Sequence, residues 1–276
     1  MPPPILVTGA TGRIGTELVR RLTAAGTPVR ALVHTPPKAS SLSARQVEVV
    51  LGDFDDPASL DRAVAGVERV FLVSPPQPDQ VRLQGNVVRA AQRGGVRHIV
   101  KISALGASPD WPLAVPRWHW QTEQQIEQAD LAFTHLRPNY FMQMILPLAP
   151  EVIQRGTVSV PAGTGRISMV DARDVAAVAA GALLEAGHEG RIYEITGPEA
   201  LAFSDVAQHL SETIGRPVRY VDIDPESALN DLVSAGLPTW PDTSADSAPS
   251  NPAEAWSSNA AGTPECSRPR GGERLF

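Results

Sequence analysis

The sequence predicts a doubly wound α/β fold: an open parallel sheet with helices on both faces, followed by a small C-terminal α/β lobe. Three observations predict it. Short apolar runs alternate with segments of helical period five times between residues 5 and 103. Each crossover is long enough to return a strand parallel to the one before it. A glycine turn, Val7-Thr8-Gly9-Ala10-Thr11-Gly12-Arg13-Ile14-Gly15, joins the first apolar run to the first helix.

Ile5 to Val7 is the first strand, and Ile14, Leu18 and Leu22 recur at helical period behind the turn. Glycines at 9, 12 and 15 remove Cβ atoms where a dinucleotide pyrophosphate would approach the backbone and the free N–H groups of a helix N-terminus. Gly9, Thr11, Gly12, Arg13, Ile14 and Gly15 are therefore candidate cofactor-binding residues. After a stop at Gly26, Val29 to Val33 make a second strand that ends at His34. An NAD enzyme usually places an acid there to hold the ribose 2′-OH, whereas an NADP enzyme needs cations for the 2′-phosphate. No acid stands at that position. Arg13, His34 and Lys38 favour NADP, with NAD still possible, while Arg30 is a weaker mid-strand alternative.

Val47 to Leu51 form a third strand, and Asp56-Pro57 opens a helix with the acid as N-cap and proline at the first helical position. Asp53, at the carboxyl end of the third strand, suits either adenine contact or turn chemistry. Val70 to Val73 is a fourth strand closing in Ser74-Pro75-Pro76, a helix covers Asp79 to Arg93, and Ile99 to Ser103 is a fifth strand. Gly9, His34, Asp53, Ser74 and Ser103 then share one rim. Ala104 to Pro116 reads as a loop, Arg117 to Gln128 as a helix bearing His119 and Glu123, and Phe133 to Leu136 as a sixth strand.

Composition narrows the function. The 276 residues are 42% hydrophobic, enough for a sizeable core, and the net charge of -6 without a Lys/Arg block argues against nucleic acid or an anionic membrane as partner. A small-molecule substrate is expected. The single cysteine, Cys266, leaves no internal disulfide and no thiolate cluster, so no metal is expected. No basic-then-apolar leader and no membrane-length apolar run occurs, which points to the cytoplasm.

The glycine turn, Gly52-Asp53, the strand ending in Ser103, the His119…Glu123 helix and above all Leu136-Arg137-Pro138-Asn139-Tyr140-Phe141-Met142-Gln143 resemble the NmrA-like, atypical branch of the short-chain dehydrogenase/reductase superfamily over residues 4 to 240. The resemblance implies a Rossmann domain, NAD(P) binding and a small lobe closing over substrate. The parent superfamily uses a Tyr-x-x-x-Lys pair; here His119 stands at the lysine position and Val115 at the tyrosine position. Ordinary ketone reduction is thus disfavoured, and a hydride acceptor that spreads its own charge, such as a quinone or an azo dye, fits better. His119 is a candidate to hold the ribose or relay a proton, or else a helix residue packed between Trp118 and Trp120. Ser103 is a candidate donor to substrate, Glu123 a structural or solvated carboxylate. Asn139 and Tyr140 are candidates to line the nicotinamide pocket, with Tyr140 and Phe141 equally suited to packing at a lobe boundary.

Beyond residue 144 the segments shorten. Strands are expected at Val158–Val160, Ile167–Val170, Ile192–Thr196 and Val218–Ile223, with helices capped by Asp171 and Ser204 and a last helix from Pro225 to Gly236. The expected organisation is a cofactor-binding core over 1–144, a substrate lobe over 145–240 interleaved with it, and a tail over 241–276. More than half of that tail is Pro, Ser, Ala and Gly, so disorder is expected, arising from a genuine extension or from a shifted reading frame near 241. The leading functional expectation is an NADPH-preferring reductase of a small conjugated electrophile. The rival is a non-catalytic NAD(P) sensor that reports to a protein partner, and a third possibility is a pseudo-enzyme disabled by its tail.

Overall fold

A central strand of a parallel sheet is covered on both faces, and β1 (Ile5–Val7) is buried at every position. In the computed structural model, which describes residues 2–39, 42, 47–228 and 273–274, β1 is followed by α1 (Arg13–Ala24), β2 (Val29–Val33), α2 (Pro36–Ala39) and β3 (Val47–Leu51). Then come α3 (Pro57–Val64), β4 (Arg69–Leu72), α4 (Gln80–Arg93), β5 (His98–Ile102), α5 (Ala114–Glu127) and β6 (Ala132–Pro138). A 3-10 helix (Met142–Leu148) leads into α6 (Ala149–Arg155), β7 (Thr157–Val160), β8 (Arg166–Ile167), α7 (Ala172–Leu184) and β9 (Arg191–Ile195). The chain continues with β10 (Leu201–Ala202), α8 (Phe203–Ile214) and β11 (Arg219–Asp222). A short β12 (Glu273–Arg274) follows.

The sheet runs β9-β6-β5-β4-β1-β2-β3, all parallel, with β12 beside β9 at one edge. The helices α1 and α7 cover one face through Ile14, Leu18, Leu22, Val175, Ala179 and Leu183. The other face is covered by α3, α4 and α5, through Leu60, Val64, Val87, Ala91 and Ile126. This is the expected doubly wound Rossmann-type arrangement. The order reverses between β1 and β4, and a crevice opens outside the carboxyl ends of those two strands.

Thr8 fixes that crevice. Its buried hydroxyl lies 2.9 Å from the Val73 carbonyl and 3.1 Å from the Phe71 carbonyl, and accepts from the Val73 N–H at 2.8 Å. Gly9 turns the chain with φ +57°, and a Cβ there would lie 2.6 Å from Val73 Cγ1. A Cβ on Gly15 would fall 2.1 Å from the Gly9 carbonyl oxygen, so only glycine lets α1 pack this closely on the turn.

Several boundaries differ from expectation for local reasons. The helix expected from Arg117 starts at Ala114, because Pro116 occupies the first turn, where a missing N–H costs nothing. Ser204, expected as N-cap, lies inside α8; Ala202 is the cap residue, and Asp205 accepts its N–H at 3.0 Å. The sixth strand runs past Leu136 to Pro138 because β9 supplies partners, Glu194 for Arg137 and Ile195 for Pro138. Of the strand expected at Ile167–Val170, only Arg166 and Ile167 pair as β8, antiparallel to β10, while Val170 bridges Phe141.

The lobe has its own core, in which Val152, Val158, Met169, Phe203 and Val206 pack together, and β7 pairs with β11 in parallel. In contrast α7 and β9, from the same half of the chain, pack into the first core and the main sheet. Residues 225–228 are helical as expected; the rest of that helix and the tail lie outside the described residues, except that Glu273 and Arg274 pair with Tyr193 and Glu194. Among the described residues no helix is long and apolar enough to cross a membrane.

The close approach at Gly15 sets a test. Gly15→Ala is expected to cost about 1–3 kcal/mol through overpacking against the turn. A denaturant midpoint unchanged from wild type would contradict the packing just described.

Candidate active site

The first turn of α1 is built to receive an anion. Gly12 is its N-cap, no side chain caps it and the first turn carries no acid, so its N–H groups and the positive end of the helix dipole face outward. Gly12 and Arg13 are exposed and Thr11 half-buried at the mouth, while Ile14 points into the core and can contribute only its backbone. A Cβ on Gly12 would sit 3.2 Å from the Gly9 carbonyl, tight against the turn itself, so its absence keeps the backbone bare. The residues present fit a dinucleotide pyrophosphate.

The expected cations stand on three segments: Arg13 opens α1, His34 follows β2 and Lys38 is in α2. The Arg13 guanidinium reaches the 3-10 helix, where Nη1 donates to Met144 Sδ at 3.7 Å. His34 is exposed, with Nδ1 3.4 Å from Asp53 Oδ2, so the third strand brings an acid beside the end of β2 that the local sequence lacks. Asp53 also does turn work: its Oδ1 accepts from the Asp55 N–H at 2.9 Å and its own N–H donates to Ser59 Oγ at 3.0 Å. Lys38 falls in α2, just after the end of β2. At the end of β4, Ser74 Oγ accepts from Gln84 Nε2 at 2.8 Å, and Pro75 is exposed.

Behind the rim lies a buried polar network between β5, β6, α4 and α5. Glu123, 1% exposed, receives Arg137 through Nε to Oε1 at 3.0 Å and Nη2 to Oε2 at 2.5 Å. Burial alone would raise its carboxyl pKa, yet the Arg137 hydrogen bonds and the charges of His135 and Arg137 hold it below the ordinary value. Of the two readings of Glu123, the structural one holds. Ser103 Oγ donates to the same carboxylate at 2.5 Å. Ser103, expected as a donor to substrate, here directs its one proton to Glu123.

His119 is 9% exposed and takes two donors on one nitrogen, with Lys101 Nζ 2.9 Å and Gln80 Nε2 3.3 Å from Nδ1. Burial, reinforced by Lys101, holds the imidazole well below its usual pKa, and it is neutral. Lys101 is fully buried and also donates to the Ile102 carbonyl at 2.9 Å. Burial pushes its ammonium down to about 7, against the opposing pull of Glu123 and with the push of Arg137. The sequence reading missed Lys101 and Gln80. The available signal was parity: Lys101 shares the face of Ile99, so it points under α5 and not to solvent.

Asn139 is buried at the end of β6. Its Oδ1 accepts from the Tyr140 N–H at 2.8 Å, while Nδ2 has no hydrogen-bond partner among the described residues. An orphaned buried donor is expensive, and a ligand carbonyl would satisfy it. Tyr140 packs against the lobe core, where burial raises its phenol pKa, and Phe141 packs against the first core. Those two aromatics therefore stand at the lobe boundary. Among the described residues no cluster of His, Cys, Asp and Glu could hold a metal ion.

The model of the NmrA-like family matches residues 2–246. The chain is 43% identical to an NAD(P)H azoreductase of Xenophilus azovorans over 85% of its length and 82% of that protein. It is 34% identical to quinone oxidoreductase 2 of Escherichia coli strain K12, again over 85% and 82%. The crystal structure of a Citrobacter sp. triphenylmethane reductase complexed with NADP(H) superposes with a TM-score of 0.81 at 31% identity, covering 95% of this chain and 93% of that one.

The network makes two measurable claims. Arg137→Ala leaves Glu123 buried and uncompensated, and chemical denaturation is expected to show a loss of about 3–5 kcal/mol. Because the fold lowers Lys101 from 10.5 to about 7, the unfolded chain binds more protons between those values and stability should rise with pH across that window. Lys101→Met should remove that rise; a variant with the wild-type pH slope would place the titration elsewhere.

Proposed function

The chain belongs to the NmrA-like family, and on that premise we propose that it is an NADPH-preferring reductase of small conjugated electrophiles such as quinones and azo or triphenylmethane dyes. The observation that carries this reading is the uncapped first turn of α1 with exposed Arg13 beside it. The reductase names of the relatives support the same reading.

The Gly9–Gly15 turn would hold the pyrophosphate on the N–H groups of α1, and Arg13, His34 and Lys38 the 2′-phosphate. Asp53 and Ser74-Pro75 would border the adenosine half. The orphaned Asn139 Nδ2 would meet a carbonyl near the reacting end. When bound, NADPH supplies a hydride. The protein's own share is to orient, to exclude water and to deliver a proton from His119, which retains 9% exposure. Val115, one turn before His119, offers no phenol, so substrates that delocalise the incoming electron pair are preferred. The lobe within 145–240 would close over the substrate in the cytoplasm.

Titration of the protein with NADPH and NADH, followed by nicotinamide fluorescence, tests this reading, with a quinone then added to the bound complex. NADPH should bind the more tightly and the signal should vanish on turnover. Arg13→Ala should weaken NADPH by about 10–100-fold, the range of one lost hydrogen bond to a charged group, and barely change NADH. Equal loss for both nucleotides would remove Arg13 from the 2′-phosphate, and binding without oxidation across a quinone panel would overturn the reductase reading.

A further inference from the structure

Two donors converge on one nitrogen of His119. A lysine ammonium has only donors, so His119 Nδ1 must accept from Lys101, and the ring proton resides on Nε2. Gln80 Nε2 points at the same Nδ1 and reinforces that tautomer. The Nε2 atom has no hydrogen-bond partner among the described residues, and the residue retains 9% exposure, so this side of the ring is not sealed. His119 sits in the second turn of α5, close to the carboxyl end of β5. Lys101, by contrast, is fully buried, and of its two hydrogen-bond partners, the Ile102 carbonyl and His119, only the imidazole can pass a proton on.

We propose that Lys101 and His119 form a proton relay for the reduction, with Lys101 the internal donor that acts through the histidine. This rests on the reductase reading above. As the substrate accepts a hydride, its oxygen or nitrogen takes the proton from His119 Nε2, so the Nε2–H bond breaks and an O–H or N–H bond forms. A proton from the Lys101 ammonium passes to Nδ1. The imidazole ends as the other neutral tautomer and Lys101 as a neutral amine, and solvent reprotonates the pair between turnovers. Electrons and protons balance: one hydride and one proton reach the substrate.

The surroundings suit an internal acid. Facing Lys101 are the Ile102 carbonyl on its own strand, His119 and Glu123 on α5, and His135 and Arg137 on β6. Both Glu123 oxygens are occupied by Arg137, and one also accepts from Ser103. The carboxylate therefore does not take the lysine's proton, and an ammonium held near pH 7 is ready to give one up.

The test uses the whole chain and begins without nucleotide. Long-range 1H–15N correlation of 15N-histidine-labelled protein should show His119 as the Nε2–H tautomer, with Nδ1 shifting through an inflection near pH 7 that Lys101→Met abolishes. With NADPH and a quinone, wild-type kcat should fall as pH rises through that value. In Lys101→Met, kcat should drop by about 100-fold, the scale of general acid catalysis, lose the inflection and leave NADPH affinity within a few-fold of wild type. A wild-type His119 protonated on Nδ1 overturns the relay, and this measurement stands even if the variant fails to fold. Turnover by Lys101→Met with an unchanged pH profile overturns the relay alone, whereas wild-type protein that binds NADPH but reduces no quinone overturns the reductase reading along with it.

Discussion

The crevice exists because β1 and β4 lie side by side while their crossovers leave in opposite directions, and the Thr8 hydroxyl ties the two strands together just where they part. The side chain is wholly buried, and it accepts from the Val73 N–H while adding a second donor to the Phe71 carbonyl, which the Thr8 N–H also reaches. Everything that gives the rim its chemistry depends on that spacing. Gly9 can turn only because Val73 stands off by the width of a missing Cβ, and α1 can aim its open end at the crevice only because Gly15 lets it lie on the Gly9 carbonyl.

Behind the rim, charge is arranged in two tiers. Arg137 and Glu123 neutralise each other in a two-point contact, the geometry in which a buried pair recovers most of what desolvation costs. That leaves Lys101 beside a neutral histidine with no carboxylate of its own, and the fold tolerates it by letting its proton go near neutrality. A more complete pairing would have made a more stable protein and a poorer acid.

How much of this was legible from the residues follows from range. The strands at 29–33 and 47–51, the Asp56 and Asp171 caps and the glycine turn are written in neighbouring residues, and they occur where the sequence puts them. What sequence reading missed depends on partners far apart in the chain: the His34–Asp53 contact joins two strand ends, and the Lys101–His119–Gln80 cluster joins three elements. The Ser103–Glu123 contact was hidden for the same reason, since a serine at a strand end reads as free until Glu123 is seen to take its proton. Pro116 misplaced a boundary because proline in a first turn and proline in a loop look alike locally.

The return of α7 and β9 from the lobe half has a consequence for how the protein is made. The chain leaves the sheet after Pro138, builds the 3-10 helix, α6 and the strands β7 and β8, and only then supplies the helix that covers the α1 side. On the ribosome, the apolar stripe of Ile14, Leu18 and Leu22 lacks its α7 partner until Leu184 has emerged, an interval of roughly 8–30 s at ~5–20 residues per second. The nascent chain therefore cannot mature its nucleotide-binding half first and its lobe second. The two must be completed together, with a bare helix face exposed to other molecules in the meantime.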